Sequence, residues 1–153
     1  TFFDGNSVLD RVAVDPNGQA TLAVQLPAGT HSLRASFAGI APFINSTSAV
    51  VSETINRAAT TATLTVDPLT SNNQVVLLNA AILPVAPGVG VPTGTVTFFD
   101  GSTVLGTATL DATGLASLFI ETLTPGKHTL TIVYSGDANF QSSTSAPIVL
   151  TVT

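Results

Sequence analysis

The string Thr1-Phe2-Phe3-Asp4-Gly5 returns as Thr97-Phe98-Phe99-Asp100-Gly101, and the repetition spreads outward from it along the chain. Val8-Leu9 answers Val104-Leu105, Asp15 answers Asp111, Gly18 answers Gly114, and Leu22 answers Leu118. After one inserted residue the match resumes with Gly29-x-His31-x-Leu33 against Gly126-x-His128-x-Leu130. It closes with Ser46-Thr47-Ser48-Ala49 against Ser143-Thr144-Ser145-Ala146. A period of about a hundred residues is too long for one turn of a solenoid and fits a whole β-sandwich domain. Residues 57–96 have no counterpart ahead of Thr1. The organisation read from this is a partial copy, 1–56, lacking its first two strands, followed by a complete copy, 57–153. With no methionine anywhere, the chain is expected to be a segment of a longer polypeptide.

Composition sets the class. Hydrophobic residues make up 44% of the chain, an ordinary share, while charged residues make up only 8%, far below the usual quarter or so. Hydration of the surface then falls to threonine, serine and asparagine, and β-branched threonine suits a pleated strand better than a helix. The absence of cysteine excludes disulfides, thiolate-ligated zinc and thiol catalysis. Net charge is −5, and the four fixed cations, Arg11, Arg34, Arg57 and Lys127, are scattered. A nucleic-acid partner is not expected, because displacing phosphate counterions needs clustered cations. No apolar run approaches the roughly 20 residues of a membrane helix, so no membrane insertion is expected within this segment.

Along the second copy, residues 62–66 alternate threonine with apolar side chains and read as a first strand, ended by Asp67-Pro68. Residues 74–82 form a nearly continuous apolar run, expected to be a central strand buried on both faces. Three prolines and three glycines make 83–94 a loop. Residues 95–99 alternate again, and Asp100-Gly101 is a tight hairpin turn. Residues 103–110 and 115–120, joined by Asp111-Ala112-Thr113-Gly114, read as a second hairpin. Residues 127–134 place His128, Leu130, Ile132 and Tyr134 on one face, 135–145 form a last long loop, and 146–152 the closing strand. Seven or eight short strands at this spacing, without a helical period, predict an antiparallel Greek-key β-sandwich.

Several separated motifs then point to one family. The run Pro92-Thr93-Gly94-Thr95-Val96-Thr97-Phe98-Phe99-Asp100-Gly101, followed by Pro125-Gly126-Lys127-His128-Thr129-Leu130 and by Tyr134-Ser135-Gly136-Asp137-Ala138-Asn139-Phe140, resembles the bacterial immunoglobulin-like repeats of group 3. The resemblance implies an all-β, immunoglobulin-like fold, repeated in tandem with neighbouring Ig-like repeats of the same polypeptide as its partners. It also implies an extracellular or bacterial cell-surface setting, and it brings no catalytic residues. The first copy departs from the pattern in its last long loop, which reads Ala38-Gly39-Ile40-Ala41-Pro42-Phe43.

Candidate site residues are weighed by whether both copies carry them. His31 and His128 open the same strand and are expected to serve the shared fold, since two isolated imidazoles offer no metal-ligand spacing. Asp4 and Asp100 are expected to bond local turn amides, as are Asp15 and Asp111. Asp137 and Asn139 raise calcium, but one carboxylate falls far short of six to eight oxygens. No Gly-x-Ser-x-Gly elbow appears, and the glycine-rich Pro87-Gly88-Val89-Gly90 precedes a strand instead of a helix, so it cradles no phosphate. The expectation is therefore no catalytic, cofactor-binding or metal residue, no cofactor, and no enzyme activity. The function read from this is a structural stalk or spacer of a large bacterial secreted or cell-surface protein, adhesin-like in character. The alternative is a module that binds carbohydrate or a protein partner through loops at one end of the sandwich. Sugar stacking wants exposed aromatics, and the chain has no tryptophan and one tyrosine, which favours the spacer.

Overall fold

A computed structural model describes residues 1–69 and 74–153. The chain forms two compact units, Thr1–Asn56 and Arg57–Thr153. Every regular element among the described residues is a strand. The first unit holds β1 (Phe2–Asp4), β2 (Ser7–Asp10), β3 (Gly29–Phe37), β4 (Ser46–Thr47) and β5 (Val51–Ile55). The second holds β6 (Thr60–Pro68), β7 (Val76–Pro84), β8 (Thr95–Asp100), β9 (Thr103–Thr109), β10 (Leu115–Ile120), β11 (Gly126–Tyr134), β12 (Ser143–Thr144) and β13 (Ile148–Val152).

The second unit is a two-layer, all-β sandwich. One sheet runs β10-β7-β6, and the other runs β9-β8-β11 with β12 and β13 both pairing to β11. All ladders between its strands are antiparallel. Period-two alternation sends Val76, Leu78, Ala80 and Ile82 of β7 inward against Val96 and Phe98 of β8 and Leu130, Ile132 and Tyr134 of β11. The face predicted for His128, Leu130, Ile132 and Tyr134 is buried throughout.

Three expectations change here. The β7 strand is not buried on both faces: its inward residues are buried while Leu77, Asn79 and Ala81 are half-buried, as befits the middle of a three-stranded outer layer. Asp67-Pro68 does not end β6 early but closes its ladder, pairing with Leu77 and Val76. Pro68 is tolerated because β6 is the edge strand of its sheet, where a missing amide donor need not break a ladder bond. Most consequentially, β9 and β10 are not a hairpin. β9 pairs with β8 and β10 pairs with β7, so the turn at 111–114 carries the chain from one sheet to the other. Hydrogen bonds tie that turn to both layers: Leu110 N donates to Gly94 O, and Ile82 N donates to Gly114 O.

The first unit reproduces one sheet and not the other. Its order β2-β1-β3-β4, with β5 also on β3, matches β9-β8-β11-β12 with β13. Registers agree residue by residue: Phe2 opposes Ala35 as Phe98 opposes Ile132, and Asp4 opposes Leu33 as Asp100 opposes Leu130. Even the irregularity between Phe2 and Phe3 recurs between Phe98 and Phe99. Residues 19–24, the counterpart of β10, form no strand at all. Their ladder partner would be the counterpart of β7, and a strand without a partner cannot satisfy its backbone.

The inner face of this lone sheet is consequently thinly covered. No hydrophobic side chain of residues 1–56 is buried. Phe2 and Leu33 are half-buried where Phe98 and Leu130 are fully enclosed. Full burial of a side chain of this size contributes about 1.5–3 kcal/mol, so the first unit forgoes several such increments that the second collects.

Candidate functional site

The most chemically distinctive constellation occurs twice, once per unit. At the start of β11 the inward alternation points His128 to the end of the sheet, where the last residue of β8 presents Asp100. His128 Nδ1 lies 2.6 Å from Asp100 Oδ2, and His128 Nε2 lies 2.8 Å from the carbonyl oxygen of Thr124. Asp100 Oδ1 accepts the Thr129 amide at 3.0 Å. In the first unit His31 Nδ1 is 2.6 Å from Asp4 Oδ2, Nε2 is 2.9 Å from Pro27 O, and the Ser32 amide donates to Asp4 Oδ1 at 2.9 Å. Both imidazoles are buried.

Each ring therefore faces an acceptor from both nitrogens, and only the doubly protonated imidazolium donates from both. The histidine pKa is accordingly raised above 6.5 in each unit. The carboxylate hydrogen bond is the leading cause, the carbonyl hydrogen bond the next, and together they outweigh desolvation. Asp4 is held below its ordinary value by the His31 hydrogen bond first and the Ser32 amide second.

This arrangement clamps a hairpin turn to the loop leading into the central strand, and its geometry is unlike that of a catalytic dyad. In a Ser-His-Asp arrangement the carboxylate takes Nδ1–H and leaves Nε2 free to remove a proton from a nucleophile. Here Nε2 is occupied by a main-chain carbonyl, so the ring has no lone pair to offer. The aspartates were expected to bond local turn amides, but they reach across the sheet to the histidine and the residue after it. The local turn cannot satisfy them because β1 and β8 carry each carboxylate alongside β3 and β11. A signal for the pairing was present in the sequence, since Asp4 and His31 repeat together as Asp100 and His128.

At the sheet-crossing turn the local expectation holds. Asp111 Oδ1 accepts from Thr113 N, Thr113 Oγ1 and Leu115 N, which lowers its pKa, with the Thr113 hydroxyl the main cause. Asp15 Oδ1 takes the amides of Asn17 and Gln19 in the same way.

Asp137 nucleates a third cluster, found in the second unit alone. Its Oδ1 accepts the amides of Asn139 and Phe140, both at 2.8 Å, and its Oδ2 accepts Thr93 N at 2.9 Å and Thr93 Oγ1 at 2.7 Å. Burial works to raise its pKa, yet the Thr93 hydroxyl, the Thr93 amide and the two loop amides prevail and lower it. Four donors leave this carboxylate little capacity for a cation, and Asn139 contributes its backbone to the loop. Beside it the Tyr134 hydroxyl donates to Thr93 O at 2.7 Å. Burial, then the nearby Asp137 charge, push the tyrosine up to about 12. Among the described residues no group of three or more His, Cys, Asp or Glu side chains comes together.

Comparison with known proteins agrees with the architecture. The family described as Bacterial Ig-like domain (group 3) matches residues 1–56 and again residues 63–153. Searches of curated proteins and of solved structures return no match. Two matches in register with the repeat, on an antiparallel all-β sandwich, leave one assignment: the chain belongs to the bacterial Ig-like domain (group 3) family.

Proposed function

We propose that residues 1–153 act as a structural spacer in a large bacterial secreted or cell-surface protein, adhesin-like in character, with the partial repeat 1–56 and the complete repeat 57–153 as successive domains. The observation that carries this reading is the duplicated Asp–His clamp. The Asp–His pair is the same in both repeats and is spent on intramolecular hydrogen bonds. Residues shared by two copies in this manner serve what the copies share, which is their fold. Family membership supports a structural repeat of surface proteins. No helix among the described residues is long and apolar enough to cross a membrane. In this setting the spacer's partners are neighbouring Ig-like repeats, and its contribution is reach.

Two measurements test the proposal. Antibodies against residues 57–153 should label intact cells, or the culture medium, of the bacterium that encodes the chain; signal appearing only after lysis contradicts the location. A glycan array probed with the whole chain should show no saturable binding, and reproducible saturation on one glycan class would replace the spacer with the binding-module reading.

A further inference from the structure

Sheet edges are ordinarily blunted by charge, proline, a bulge, shortness or a covering segment. Among the described residues of the second unit, every edge but one carries such a device. The β6 edge has Asp67 and Pro68 at one end, and at the other Thr60 Oγ1 lies 3.0 Å from Gln141 O and 2.7 Å from Ser143 Oγ, so a loop covers it. The β9 ladder has a register irregularity between Phe98 and Phe99. β12 and β13 are two and five residues long, with Pro147 between them. β10 is different: Leu115-Ala116-Ser117-Leu118-Phe119-Ile120 runs six residues in unbroken register on β7, with no charge and no proline. Its outward Leu115 and Phe119 are 46% and 52% exposed.

The backbone of this edge says which groups are open. Ile82 N donates to Gly114 O, and this fixes the phase of the ladder: Ala116, Leu118 and Ile120 bond β7, while Leu115, Ser117 and Phe119 turn N–H and C=O to the open side. Leu115 already uses both, its N–H donating to Asp111 Oδ1 at 3.0 Å and its C=O accepting Asp111 N at 2.8 Å. The main-chain groups of Ser117 and Phe119 remain, and they bond nothing among the described residues. These two residues flank Leu118, so the open set is its own complement. An identical strand, turned about a two-fold axis at Leu118, brings Ser117 opposite Phe119 of the other copy and Phe119 opposite its Ser117, and every open N–H and C=O is answered reciprocally. On the inner side, half-buried Leu118 and Ile120 meet Leu118 and Ala116 of the other copy. A slide of one residue would send inward side chains outward, and a slide of two would set Phe119 against the occupied Leu115 or against Phe119 itself, leaving Ser117 against Glu121.

We propose that β10 is a docking edge for a second copy of this chain: the two β10 strands pair antiparallel about Leu118 and join two β10-β7-β6 layers into one continuous sheet. The reciprocity of the open groups selects a second copy as the occupant, since a foreign strand requires no two-fold pattern. The pairing also has a characteristic salt dependence. Glu121 stands opposite Leu115 of the other copy, whose main chain Asp111 holds, so carboxylates approach at both ends of the pair and screening them strengthens it. The proposal goes beyond the spacer reading and does not rest on it.

Sedimentation equilibrium of the full 153-residue chain in high salt should show monomer and dimer in exchange. A chain that stays monomeric up to about 1 mM overturns the proposal. Phe119→Lys puts a cation on the edge at an exposed site and should weaken dimerisation at least tenfold, with the urea midpoint read from Tyr134 emission unchanged. Undiminished dimerisation of that variant overturns the proposal. Because the chain has no cysteine, disulfide trapping reads the register without interference and independently of the lysine variant. In an equimolar mixture of Ser117→Cys and Phe119→Cys chains, the facing positions stand about 5.5 Å apart at Cα, within disulfide reach, while like positions form a longer diagonal. The mixed disulfide dimer should exceed each self-paired product at least tenfold. A mixed product at no more than its statistical share would place the copies in another register or on the outer face of the sheet, and overturns the proposal.

Discussion

The hydroxyl of Tyr134 donates to the carbonyl of Thr93 at 2.7 Å, tying the end of the central strand β11 to the segment that enters β8. Tyr134 is fully enclosed and is the chain's one tyrosine, so its titration reports on this contact alone. Burial, followed by the neighbouring Asp137 charge, moves its pKa from 10.0 to about 12. The tyrosinate absorbance of the folded chain should therefore rise near pH 12, and that of the urea-unfolded chain near pH 10. The sign for stability follows: the neutral phenol is favoured by folding, so its contribution is intact below pH 10 and is lost as pH climbs toward the folded value. Tyr134→Phe should cost about 1 kcal/mol at neutral pH, the typical worth of one hydrogen bond. A folded-state midpoint near 10 contradicts the prediction.

The two histidine clamps predict a stability maximum on the mildly acidic side. Both folded pKa values lie above 6.5, so the clamp's contribution is complete below 6.5 and declines as pH rises through the folded values. At the other end Asp4, held below 3.8, contributes fully above 3.8 and loses its contribution as pH falls through its lowered folded value. Imidazole resonances of His31 and His128 should titrate with midpoints above 6.5. The replacement His128→Gln should flatten the loss of second-unit stability as pH rises above 6.5, measured by urea denaturation with Tyr134 emission. Midpoints at or below 6.5 would show that the Nε2 contact to the carbonyl does not hold the proton.

Gly114 offers a test of the sheet crossing. Its φ is +80°, and a Cβ there would stand 2.7 Å from the Ile82 carbonyl oxygen in β7. Gly18 has φ +81° but nothing within 4 Å, because the first unit has no β7 equivalent. Gly18→Ala should cost only the left-handed backbone penalty, about 1–2 kcal/mol. Gly114→Ala adds a clash with backbone and should cost roughly 1–3 kcal/mol more. Urea midpoints from Tyr134 emission should fall sharply for Gly114→Ala and stay unchanged for Gly18→Ala, whose effect should appear as shifts confined to NMR signals of residues 15–19. Equal tolerance at the two positions would mean that the turn at 111–114 does not pack on β7.

Hydrogen exchange of the unmodified chain should separate the two copies of one sequence pattern. Residues 115–120 pair with β7 from Leu115 opposite Ala81 to Ile120 opposite Val76, while residues 19–24 form no ladder. Amides in the ladder should exchange slower by a factor of a hundred or more than their counterparts in 19–24, a factor of ten being about 1.4 kcal/mol of local opening energy. Comparable protection of Leu22 and Leu118 would show that the first unit builds a second layer after all.

Much of this protein could be read before any coordinates. The recurrence of Thr-Phe-Phe-Asp-Gly determined that one unit is built twice, and alternation of apolar and polar residues determined which side chains of β11 face inward. Dipeptides such as Asp100-Gly101 determined where the chain reverses. These are local properties, fixed by the two-residue period of the pleat and by the backbone demands of turns. The tertiary structure alone decided that β9 and β10 belong to different sheets, since alternation specifies a buried face but not a hydrogen-bonded neighbour. It likewise decided that Asp100 serves His128 instead of its own turn, and that Asp137 is consumed by Thr93 and two loop amides. Asp100 and His128, like Asp137 and Thr93, lie far apart in the chain and meet only once ladder register has been set. The same reason explains residues 19–24: they carry a pattern resembling that of β10, but a strand exists only where another strand accepts its backbone.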